Sequence, residues 1–349
     1  MRSRFKDIFK WLNLLLIVAT LLAIFAPYAS PQYGWWIAIF GMAFPALFVL
    51  NFLYVLFWLS TKNVYFLFST FCMIISWNAF TGIVGFNGND SPPDASLNVM
   101  TFNCRAFYDF TKDKSTKPQI LQLLQYEDMD IICFQEFPLS SKSKEAIVAA
   151  IKKQTKLNYF YQPNNYALAI FSKYPLSNTR ILDTDKAANG CIYADVETPK
   201  GPLRIYNVHL KSNRVSDDAN KVLANPDLKK KSTWLGIKTM MGKIRETSKI
   251  RAEQAERISK HLYSSKLPTV LCGDLNETPQ SYTYCLLTRR LQDSFRKKGN
   301  GIGSTYAGKI PGLRIDYILT GNKVRVSEHR ILRKEVSDHY PVVTTLHLK

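Results

Sequence analysis

Residues 97–103, Leu-Asn-Val-Met-Thr-Phe-Asn, follow a period of two that predicts a strand with one buried face, and they end on the carboxamide Asn103. The same arrangement, a probable strand followed by residues that bind divalent metal or move protons, recurs five more times. The later segments are Gln-Glu at 135–136, Asn-Val-His at 207–209, Gly-Asp-Leu-Asn at 273–276, Arg-Ile-Asp-Tyr at 314–317 and Ser-Asp-His at 337–339. Each is common in loops by itself. As an ordered set they predict one site for metal-assisted attack of water on a phosphate ester.

The region after residue 97 predicts a mixture of helices and strands. Apolar side chains recur at helical spacing over Pro118–Glu127, Lys142–Lys153 and about Lys249–Ser264. Strands are expected at Asp130–Phe134, Tyr166–Phe171, Thr269–Cys272, Ile315–Leu319 and Pro341–Leu348, with a hairpin of Cys191–Glu197 and Leu203–Leu210. Hairpins combined with helical crossovers favour an α/β fold in which two packed sheets are flanked by helices.

Three oxygen-bearing side chains are the candidate metal ligands. Glu136 follows an apolar strand, where a buried carboxylate is costly unless it is paired or binds a metal. Because Mg²⁺ takes one or two protein carboxylates and keeps waters for a substrate phosphate, Glu136 is predicted as the main ligand. Asn103 and Asp338 are predicted as direct or water-mediated partners. Glu136 alone would be interpreted as a surface carboxylate, and the companion motifs favour the metal site.

Asp274 and Asn276 lie two residues apart, so both can face one site. Asp274 is predicted to orient and deprotonate the attacking water, and Asn276 to hydrogen-bond that water or a phosphate oxygen. Gly273 would let the backbone approach closely at this point. The alternative is a simple Asx turn, for which the run Gly-Asp-Leu-Asn-Glu-Thr-Pro is also suited.

Two of the five histidines, His209 and His339, lie in the site motifs. Asp316 is of the right type to accept a hydrogen bond from the ring of His339, which would fix the tautomer and favour the imidazolium. A charged His339 could stabilise the transition state or help to activate water, and His209 would donate to a non-bridging phosphate oxygen. His261 and His347 fall in a predicted helix and in the final strand, where structural roles are expected.

The first quarter of the chain is almost purely apolar, since Lys62 is the only charged residue between Trp11 and Asn89. Three apolar segments approach or exceed the ~20 residues that cross a bilayer as a helix, and aromatic residues crowd their ends. These segments are about Trp11–Tyr28, Gly34–Leu59 and Val64–Phe86. A cleaved signal peptide is the alternative for the first segment, and the two spans that follow argue against it.

The chain is therefore predicted to have a transmembrane region of about three helices at 1–86, a linker at 87–96 and a catalytic domain at 97–349. The basic N-terminus and Lys62 would lie on one side of the membrane, and the uncharged Ala29–Tyr33 loop on the other. Positive charge marks the cytoplasmic side, so three crossings predict a multi-pass membrane protein with an extracytoplasmic catalytic domain. Two crossings would leave the domain inside.

The part of the chain after the apolar region is strongly basic. The chain has 46 basic and 27 acidic residues, of which five basic and two acidic residues lie in 1–90. Residues 91–349 therefore hold 41 basic and 25 acidic residues, a net charge of +16. Such a domain attracts polyanions, namely nucleic acid, anionic lipid headgroups or phosphorylated glycans, unless the charge is only a solvated surface. The sequence indicates no protein partner.

Residues Ser212–Thr247 combine basic residues with apolar ones, among them Lys229–Lys231, Lys238, Lys243 and Arg245 around Trp234, Leu235, Met240 and Met241. This composition is typical of an amphipathic basic segment that lies on a membrane surface or binds a polyanion. An ordinary surface excursion with solvated lysines is the alternative.

The six segments together resemble the endonuclease/exonuclease/phosphatase superfamily, which includes pancreatic-type deoxyribonucleases, exonuclease III-like AP endonucleases, inositol polyphosphate 5-phosphatases and neutral sphingomyelinases. The resemblance covers about Leu97 to Leu348 and is marked in the run GIGSTYAGKIPGLRIDYIL at 301–319 and in SDHYP at 337–341. It implies a four-layer αββα sandwich. The positions that match the family's active site are Asn103, Glu136, His209, Asp274, Asn276, Asp316, Asp338 and His339.

The resemblance and the site chemistry together predict a phosphoesterase that depends on Mg²⁺, with Mn²⁺ as the other suitable ion, and hydrolyses phosphodiesters with an activated water. Its substrate would be nucleic acid, as in a nuclease, or a phospholipid or sphingolipid, as in a lipid phosphodiesterase or phosphoinositide phosphatase. A non-catalytic membrane module that only binds phosphorylated ligands is the alternative of another class. Every position of the matched set is intact, which argues for catalysis.

Overall fold

The structure is a computed structural model that describes residues 2–91, 96–110, 112–185, 189–212, 231–308 and 312–349. Parts of the predicted linker (92–95), of the basic segment (213–230) and of the motif at 301–319 (309–311) lie outside the described residues. The N-terminal helices are α1 (Arg2–Phe25), α2 (Pro31–Gly34), α3 (Ile37–Ser60), α4 (Phe66–Ile75) and α5 (Trp77–Phe80), with a 3-10 turn at Ala26–Tyr28 after α1.

Two helices of the described residues, over Asp7–Tyr28 and Ile37–Ser60, are long and apolar enough to cross a membrane by length and composition. The third apolar segment differs from the single helix that its sequence predicts. Helix α4 has ten residues and is about 15 Å long, half of a bilayer core of about 30 Å. The helix stops at Ser76, whose hydroxyl bonds the carbonyl of Met73, and the end of the segment, Val84–Phe86, forms strand β1.

The third segment nevertheless runs back along α3. At its start, the ring of Tyr65 lies 5.5 Å from that of Trp58, near the end of α3. At its other end, Phe80 stacks on Phe48 with ring centroids 4.3 Å apart. Beyond α5, Ile83 is buried in one apolar cluster with Ala23 of α1 and Phe44 of α3, so the segment ends near the α1–α3 connection.

Buried polar side chains join the three apolar segments to one another. The amide of Asn13 in α1 donates to Ser69 Oγ in α4 (2.8 Å) and accepts from the indole of Trp58 in α3 (3.0 Å). Further along, Asn51 in α3 donates to Thr20 in α1 (2.8 Å). Because hydrogen bonds between apolar helices hold them in one register, these contacts define a packed bundle rather than separate helices.

The remaining elements belong to the domain that follows the bundle. The helices are α6 (Lys117–Glu127), α7 (Ser141–Gln154), α8 (Lys231–Ser264), α9 (Tyr282–Thr288) and α10 (Ser294–Lys298). The strands are β2 (Leu97–Asn103), β3 (Tyr108–Asp109), β4 (Lys114–Ser115), β5 (Ile131–Gln135), β6 (Tyr159–Tyr161), β7 (Leu168–Ser172), β8 (Leu176–Asp185), β9 (Asn189–Thr198), β10 (Gly201–His209), β11 (Thr269–Asp274), β12 (Gln292–Asp293), β13 (Asn300–Ile302), β14 (Asp316–Thr320), β15 (Val324–Ile331) and β16 (Val342–Leu348).

Two six-stranded sheets occupy the centre of the described domain. The first has the order β15-β16-β2-β5-β7-β6 and the second the order β12-β14-β11-β10-β9-β8. Most neighbours are antiparallel, but β2 pairs with β5 and β10 with β11 in parallel, each through a helical crossover. The predicted hairpin of β9 and β10 is confirmed by its antiparallel register from Gly201 opposite Thr198 to His209 opposite Gly190.

Three apolar clusters fill the spaces between the layers. One lies between the sheets, with residues such as Val99, Ile131 and Val270. A second lies between the first sheet and helices α6 and α7, and a third between the second sheet and helices α8 and α9. The order of layers is helix, sheet, sheet, helix, which confirms the predicted αββα sandwich. It also corrects one detail, since β2 is buried on both faces because helices cover the outer face of its sheet.

The helical bundle packs directly on the sandwich. Strand β1 pairs with β13, and the amide of Gly303 donates to the carbonyl of Ile83 (2.8 Å). In the region predicted as a linker, Asp90 pairs with Lys298 at 2.6 Å. The chain that leaves the bundle is thus held along the side of the sandwich before β2 begins.

Candidate active site

The six sequence motifs meet at one edge of the sandwich. In each parallel strand pair, the carboxyl ends lie at the same edge, so Asn103 at the end of β2 lies opposite Gln135, just before Glu136. In the second sheet, His209 at the end of β10 lies opposite Asp274 at the end of β11. Asp316, the first residue of the antiparallel strand β14, lies opposite Asp274. Sheet register therefore brings together residues that are far apart in the chain.

Asp274 lies at the centre of this group and is 1 % exposed. Its Oδ2 accepts a hydrogen bond from Asn103 Nδ2 at 3.2 Å. The same oxygen lies 3.7 Å from His209 Nε2 and 3.9 Å from His339 Nε2. One carboxylate oxygen is thus surrounded by three nitrogen atoms from both sheets.

His339 and Asp316 make the contact that the sequence predicts. The Nδ1 atom of His339 lies 3.1 and 3.0 Å from the two carboxylate oxygens of Asp316, and both side chains are buried. Burial by itself lowers the pKa of His339, but the carboxylates of Asp316 and then Asp274 outweigh it and raise that pKa to about 10. These carboxylates favour the imidazolium form of His339, whose Nε2 lies 3.9 Å from Asp274 Oδ2.

Glu136 and Asn103 form the more open side of the group. Asn103 Nδ2 donates to Glu136 Oε1 at 3.2 Å, and 42 % of the Glu136 side chain is exposed. Glu136 has a left-handed backbone with φ of 52°, a conformation of order 1 kcal/mol or more above the usual ones for such a residue. The backbone amide of Ala106 donates to the carbonyl of Glu136 at 2.9 Å and supports this conformation.

The side chains on this open side carry oxygen atoms of the types that a hard divalent cation binds. Asn103 Nδ2 donates to both the Glu136 and the Asp274 carboxylate, and carboxylate and carboxamide oxygens are the ligands that Mg²⁺ and Mn²⁺ prefer. Asp274, Asp316 and His339 form a second compact group of candidate ligand atoms among the described residues. In that group both carboxylate oxygens of Asp316 already face His339 Nδ1.

Asp338 points at a residue that the sequence analysis missed. Its Oδ2 lies 3.3 Å from Arg105 Nη1, and each side chain is a little under one third exposed. Arg105 belongs to a run of three left-handed residues, Arg105, Ala106 and Phe107, with φ of 45°, 55° and 58°. Because this turn directly follows Asn103, it places a guanidinium at the rim of the site, where it can bind an anion. The sequence signal was an arginine two residues after the first motif.

Asn276 and Gly273 shape the turn after β11. The backbone N–H of Asn276 donates to Asp274 Oδ1 (2.8 Å), and one hydrogen of its side-chain Nδ2 is donated to the carbonyl of Leu210 (3.0 Å). The Asx turn is therefore present and orients the Asp274 carboxylate. Gly273 has φ of 154°, and a Cβ atom there would lie 1.9 Å from the carbonyl oxygen of Val208, so only glycine fits.

A buried polar cluster beneath the site joins the two sheets. Gln135 donates to Asn207 Oδ1 at 2.7 Å, and Asn207 Nδ2 donates to the carbonyls of Phe134 and Ala169, both at 2.9 Å. These bonds satisfy the carboxamide of Asn207, which is fully buried. They fix the first sheet relative to the second, directly below Glu136 and His209.

The comparisons with known proteins agree with this fold. Residues 100–339 match the model of the Endonuclease/Exonuclease/phosphatase family, and residues 6–83 match a domain of unknown function (DUF8431). No curated protein matches the chain. The bundle and the sandwich are therefore two separately recognised regions.

Several solved structures share the sandwich fold. An endonuclease/exonuclease/phosphatase from Bacteroides vulgatus is 16% identical, with a TM-score of 0.53 over 73% of this chain and 99% of that one. A mannosyl-6-phosphatase from Bacteroides thetaiotaomicron is 18% identical, with a TM-score of 0.52 over 72% and 100%. The human Nocturnin catalytic domain with bound sulfate is 18% identical, with a TM-score of 0.51 over 74% and 96%.

Proposed function

Because the chain belongs to the endonuclease/exonuclease/phosphatase family, whose members hydrolyse phosphate esters, we propose that its site hydrolyses a phosphodiester with an activated water and a bound Mg²⁺ or Mn²⁺ ion. The observation that carries this proposal is the environment of the Asp274 carboxylate, which lies within 4 Å of Asn103, His209 and His339 at one edge of the sandwich.

Asp274 is the group best placed to orient the attacking water and accept its proton. The Asn276 backbone amide on its Oδ1 fixes the carboxylate, which leaves Oδ2 directed into the site. An imidazolium at His339, held by Asp316, would donate to the charge that develops on the phosphoryl oxygens. His209, on the opposite side of Asp274, would donate to a non-bridging oxygen, and Asn276 to the water or to a phosphate oxygen.

Glu136 is the proposed main metal ligand, with Asn103 and Asp338 as direct or water-mediated partners. A bound divalent ion would polarise the phosphoryl group and neutralise the charge that develops on it. The exposed fraction of Glu136 leaves room on this side for a substrate phosphate. The pairing of Asp338 with Arg105 favours the water-mediated arrangement for Asp338, because its carboxylate already has a cation beside it.

Hydrolysis of an aryl phosphodiester by the purified full chain in detergent tests the proposal. We expect turnover with Mg²⁺ or Mn²⁺ that EDTA removes. Asp274→Asn and His339→Gln should each lower kcat by about 100-fold or more, because these groups act on the proton and on the developing charge. The matched controls are Asp128→Asn, at an exposed pair with Lys156, and His261→Gln, at a contact with Tyr206 on the outer face of the second sheet.

Equal loss of activity in the site variants and their controls would contradict the assigned roles. Absence of turnover in folded wild-type protein with either metal would favour the non-catalytic alternative, a module that binds phosphorylated ligands. Binding of phosphate esters without hydrolysis would then be the property to measure.

Two observations favour different substrates within this activity. The net charge of +16 over residues 91–349 favours nucleic acid and hence a nuclease-like enzyme. The turn after Asp274 favours a lipid, because Gln280 in this turn donates to the carbonyl of Ala23 at the end of α1 (3.1 Å). The catalytic turn is therefore bonded to a helix that is apolar enough to enter a membrane.

A substrate panel separates these alternatives. It consists of single- and double-stranded DNA, RNA, sphingomyelin, phosphoinositides and a sugar phosphate monoester, each with wild-type protein and with His339→Gln. Cleavage of nucleic acid alone would identify a membrane-held nuclease. Selective release of a lipid headgroup would identify a lipid phosphodiesterase or phosphatase.

We also propose that the bundle crosses the membrane three times and that the catalytic domain is extracytoplasmic. The third segment runs along α3 from Trp58 to Phe48 and ends in one apolar cluster with Ala23 of α1, and the sandwich packs at the end opposite to Lys10 and Lys62. Positive charge retained on the cytoplasmic side then places the domain outside. Protease digestion of intact cells or spheroplasts tests this: degradation of the domain only after lysis would contradict it.

A further inference from the structure

Helix α8 extends past the edge of the sandwich that carries the site. Arg251 marks the level of this edge, because its Nη1 donates to the carbonyl of Lys211, two residues after His209, at 2.8 Å. Its Nε also bonds Glu277, three residues after Asp274, at 2.8 Å. From Arg251 to Ser264 the helix packs on the second sheet. The residues before Arg251 continue beyond the edge for about 30 Å.

This projecting part of α8 lies beside the turn that connects α1 and α3. The Nε2 atom of Gln32 donates to the carbonyl of Lys249 (3.3 Å) and to Glu253 Oε1 (2.8 Å). One turn earlier, the guanidinium of Arg245 lies over the ring of Trp35, 6.0 Å from its centroid. The helix therefore leaves the sandwich at the end of the bundle where the two longest apolar helices are joined.

The same end of the bundle exposes aromatic side chains of the kind found at membrane–water interfaces. Tyr28, Tyr33 and Trp36 are 66%, 94% and 46% exposed. A bilayer crossed by α1 and α3 would have its headgroup layer at this level. The projecting part of α8 and the site-bearing edge would then lie next to that layer.

The projecting part has the composition that such a layer binds. Over residues 233–249 it carries four basic residues, Lys238, Lys243, Arg245 and Lys249, against one acidic residue, Glu246. Large apolar side chains are nevertheless exposed on it: Trp234 is 58%, Leu235 65% and Met241 38% exposed. Basic and exposed apolar residues on one helix are typical of a helix that lies in the plane of an anionic membrane surface.

We propose that residues 233–249 of α8 bind the anionic headgroup layer of the bilayer that α1 and α3 cross, and that this contact holds the site-bearing edge against the membrane surface. The proposal rests on membrane insertion of the bundle and does not depend on which phosphate ester the site hydrolyses. A nucleic acid is the competing occupant of a basic helix. It would use the lysines but leave the exposed Trp234, Leu235 and Met241 without an apolar environment.

The test follows the fluorescence of Trp234 in the full chain reconstituted into vesicles. The vesicles contain phosphatidylcholine brominated near the headgroup end of its acyl chains, with or without added phosphatidylglycerol. Subtracting the emission of Trp234→Phe isolates this one indole from the other five tryptophans. We expect strong quenching by brominated lipid when phosphatidylglycerol is present, and weaker quenching when it is absent.

A charge variant and a matched control sharpen the test. Each basic residue near an anionic surface contributes about fivefold to membrane affinity. The combined change Lys238→Gln, Lys243→Gln and Arg245→Gln should therefore weaken the binding of this helix to the membrane surface by on the order of 100-fold. This loss would appear as a loss of Trp234 quenching. The control removes three lysines from α7, which covers the other sheet: Lys142→Gln, Lys144→Gln and Lys152→Gln. We expect the control to retain the wild-type quenching.

Three results would overturn the proposal. In the first, Trp234 is not quenched by brominated lipid in wild-type protein. In the second, the charge variant and the α7 control are quenched equally. In the third, alkaline carbonate releases the chain from the vesicles, because the bundle then does not insert. A change in Trp234 emission on addition of an oligonucleotide, without quenching by lipid, would assign the helix to nucleic acid instead. Phosphoesterase activity is not part of the readout, so failure of the proposed reaction is observed separately.

Discussion

Replacement of Arg314 by methionine tests a buried contact between the end of the apolar region and the strand that carries Asp316. The guanidinium is 2% exposed, binds both carboxylate oxygens of Asp293, and donates through Nε to the carbonyl of Gly82 at 2.9 Å. It therefore joins the end of the apolar region to β14, where Asp316 lies two residues further on. Burial by itself raises the pKa of Asp293, but Arg314 outweighs it and lowers that pKa below its usual value.

The expected cost follows from what the substitution leaves behind. In Arg314→Met the Asp293 carboxylate stays buried and keeps only neutral donors, the Tyr284 hydroxyl (2.6 Å) and the Phe295 amide (3.0 Å). Breaking a buried ion pair from one side costs about 3–5 kcal/mol of unfolding free energy. For a domain of this size, 1 kcal/mol corresponds to about 2–4 °C in Tm, so we expect Tm to fall by about 10 °C.

Thermal unfolding of the full chain in detergent measures this change, and a double variant isolates its cause. Asp293→Asn keeps an oxygen for the Phe295 amide and removes the charge. Arg314→Met combined with Asp293→Asn should therefore recover about half of the loss. A fall in Tm of only 1–2 °C in Arg314→Met, or a double variant no more stable than the single one, would refute the reasoning. Arg325→Met, at an exposed pair with Asp90, is the control and should change Tm little.

Three further predictions concern the site and the core. Gly273→Ala should lower the free energy of unfolding by about 3 kcal/mol or more and remove activity, because its Cβ would collide with the backbone of β10. In the same thermal unfolding assay the control Gly201→Ala, at a positive φ with open space, should lower it by about 1 kcal/mol. Glu136→Gln should raise the Mg²⁺ concentration for half-maximal rate by about tenfold or more, and an unchanged metal dependence would remove Glu136 from the ligand set. His329 is buried, and burial lowers its pKa to about 3. In the unfolded chain this histidine binds a proton below about pH 6.5, but in the folded chain it does so only near pH 3. The free energy of unfolding should therefore fall by about 1.4 kcal/mol for each pH unit as the pH is lowered from 6.5 to 3. Relative to wild type, His329→Gln should flatten the decline of Tm towards pH 5, and parallel curves would contradict this.

Much of the sandwich was predictable because strand and helix patterns are local. The periods that predict α6, α7, β2 and the β9–β10 hairpin depend on neighbouring residues alone, and these elements are present within one to two residues of the predicted bounds. The order of the motifs, taken with the family resemblance, also predicted that they share one site. Sheet register then brings Asp274, Asp316 and His339 together as expected.

Other elements were missed because their local signal is weak. Helix α8 begins at Lys231 and not at about Lys249, since two glycines and several polar residues in its first half weaken the helical pattern. Strands β8 and β15 were not predicted, and both are interrupted by irregular register. The roles of Arg105 and of the Gln135–Asn207 bond were not visible either, because each depends on a partner from a distant part of the fold.

The sequence by itself determined the class of the fold, the apolar character of the first quarter and the residue types of the site, since composition and short periods depend only on residues near one another in the chain. The tertiary structure alone decided how the bundle and the sandwich meet. Arg314 and Gly82 are 232 residues apart, and Gln280 and Ala23 are 257 apart. Such contacts form only when sheet register and helix packing place both partners at one surface, so no local pattern predicts them. They bring the catalytic turn to the end of two apolar helices, which is the feature on which the proposed membrane contact depends.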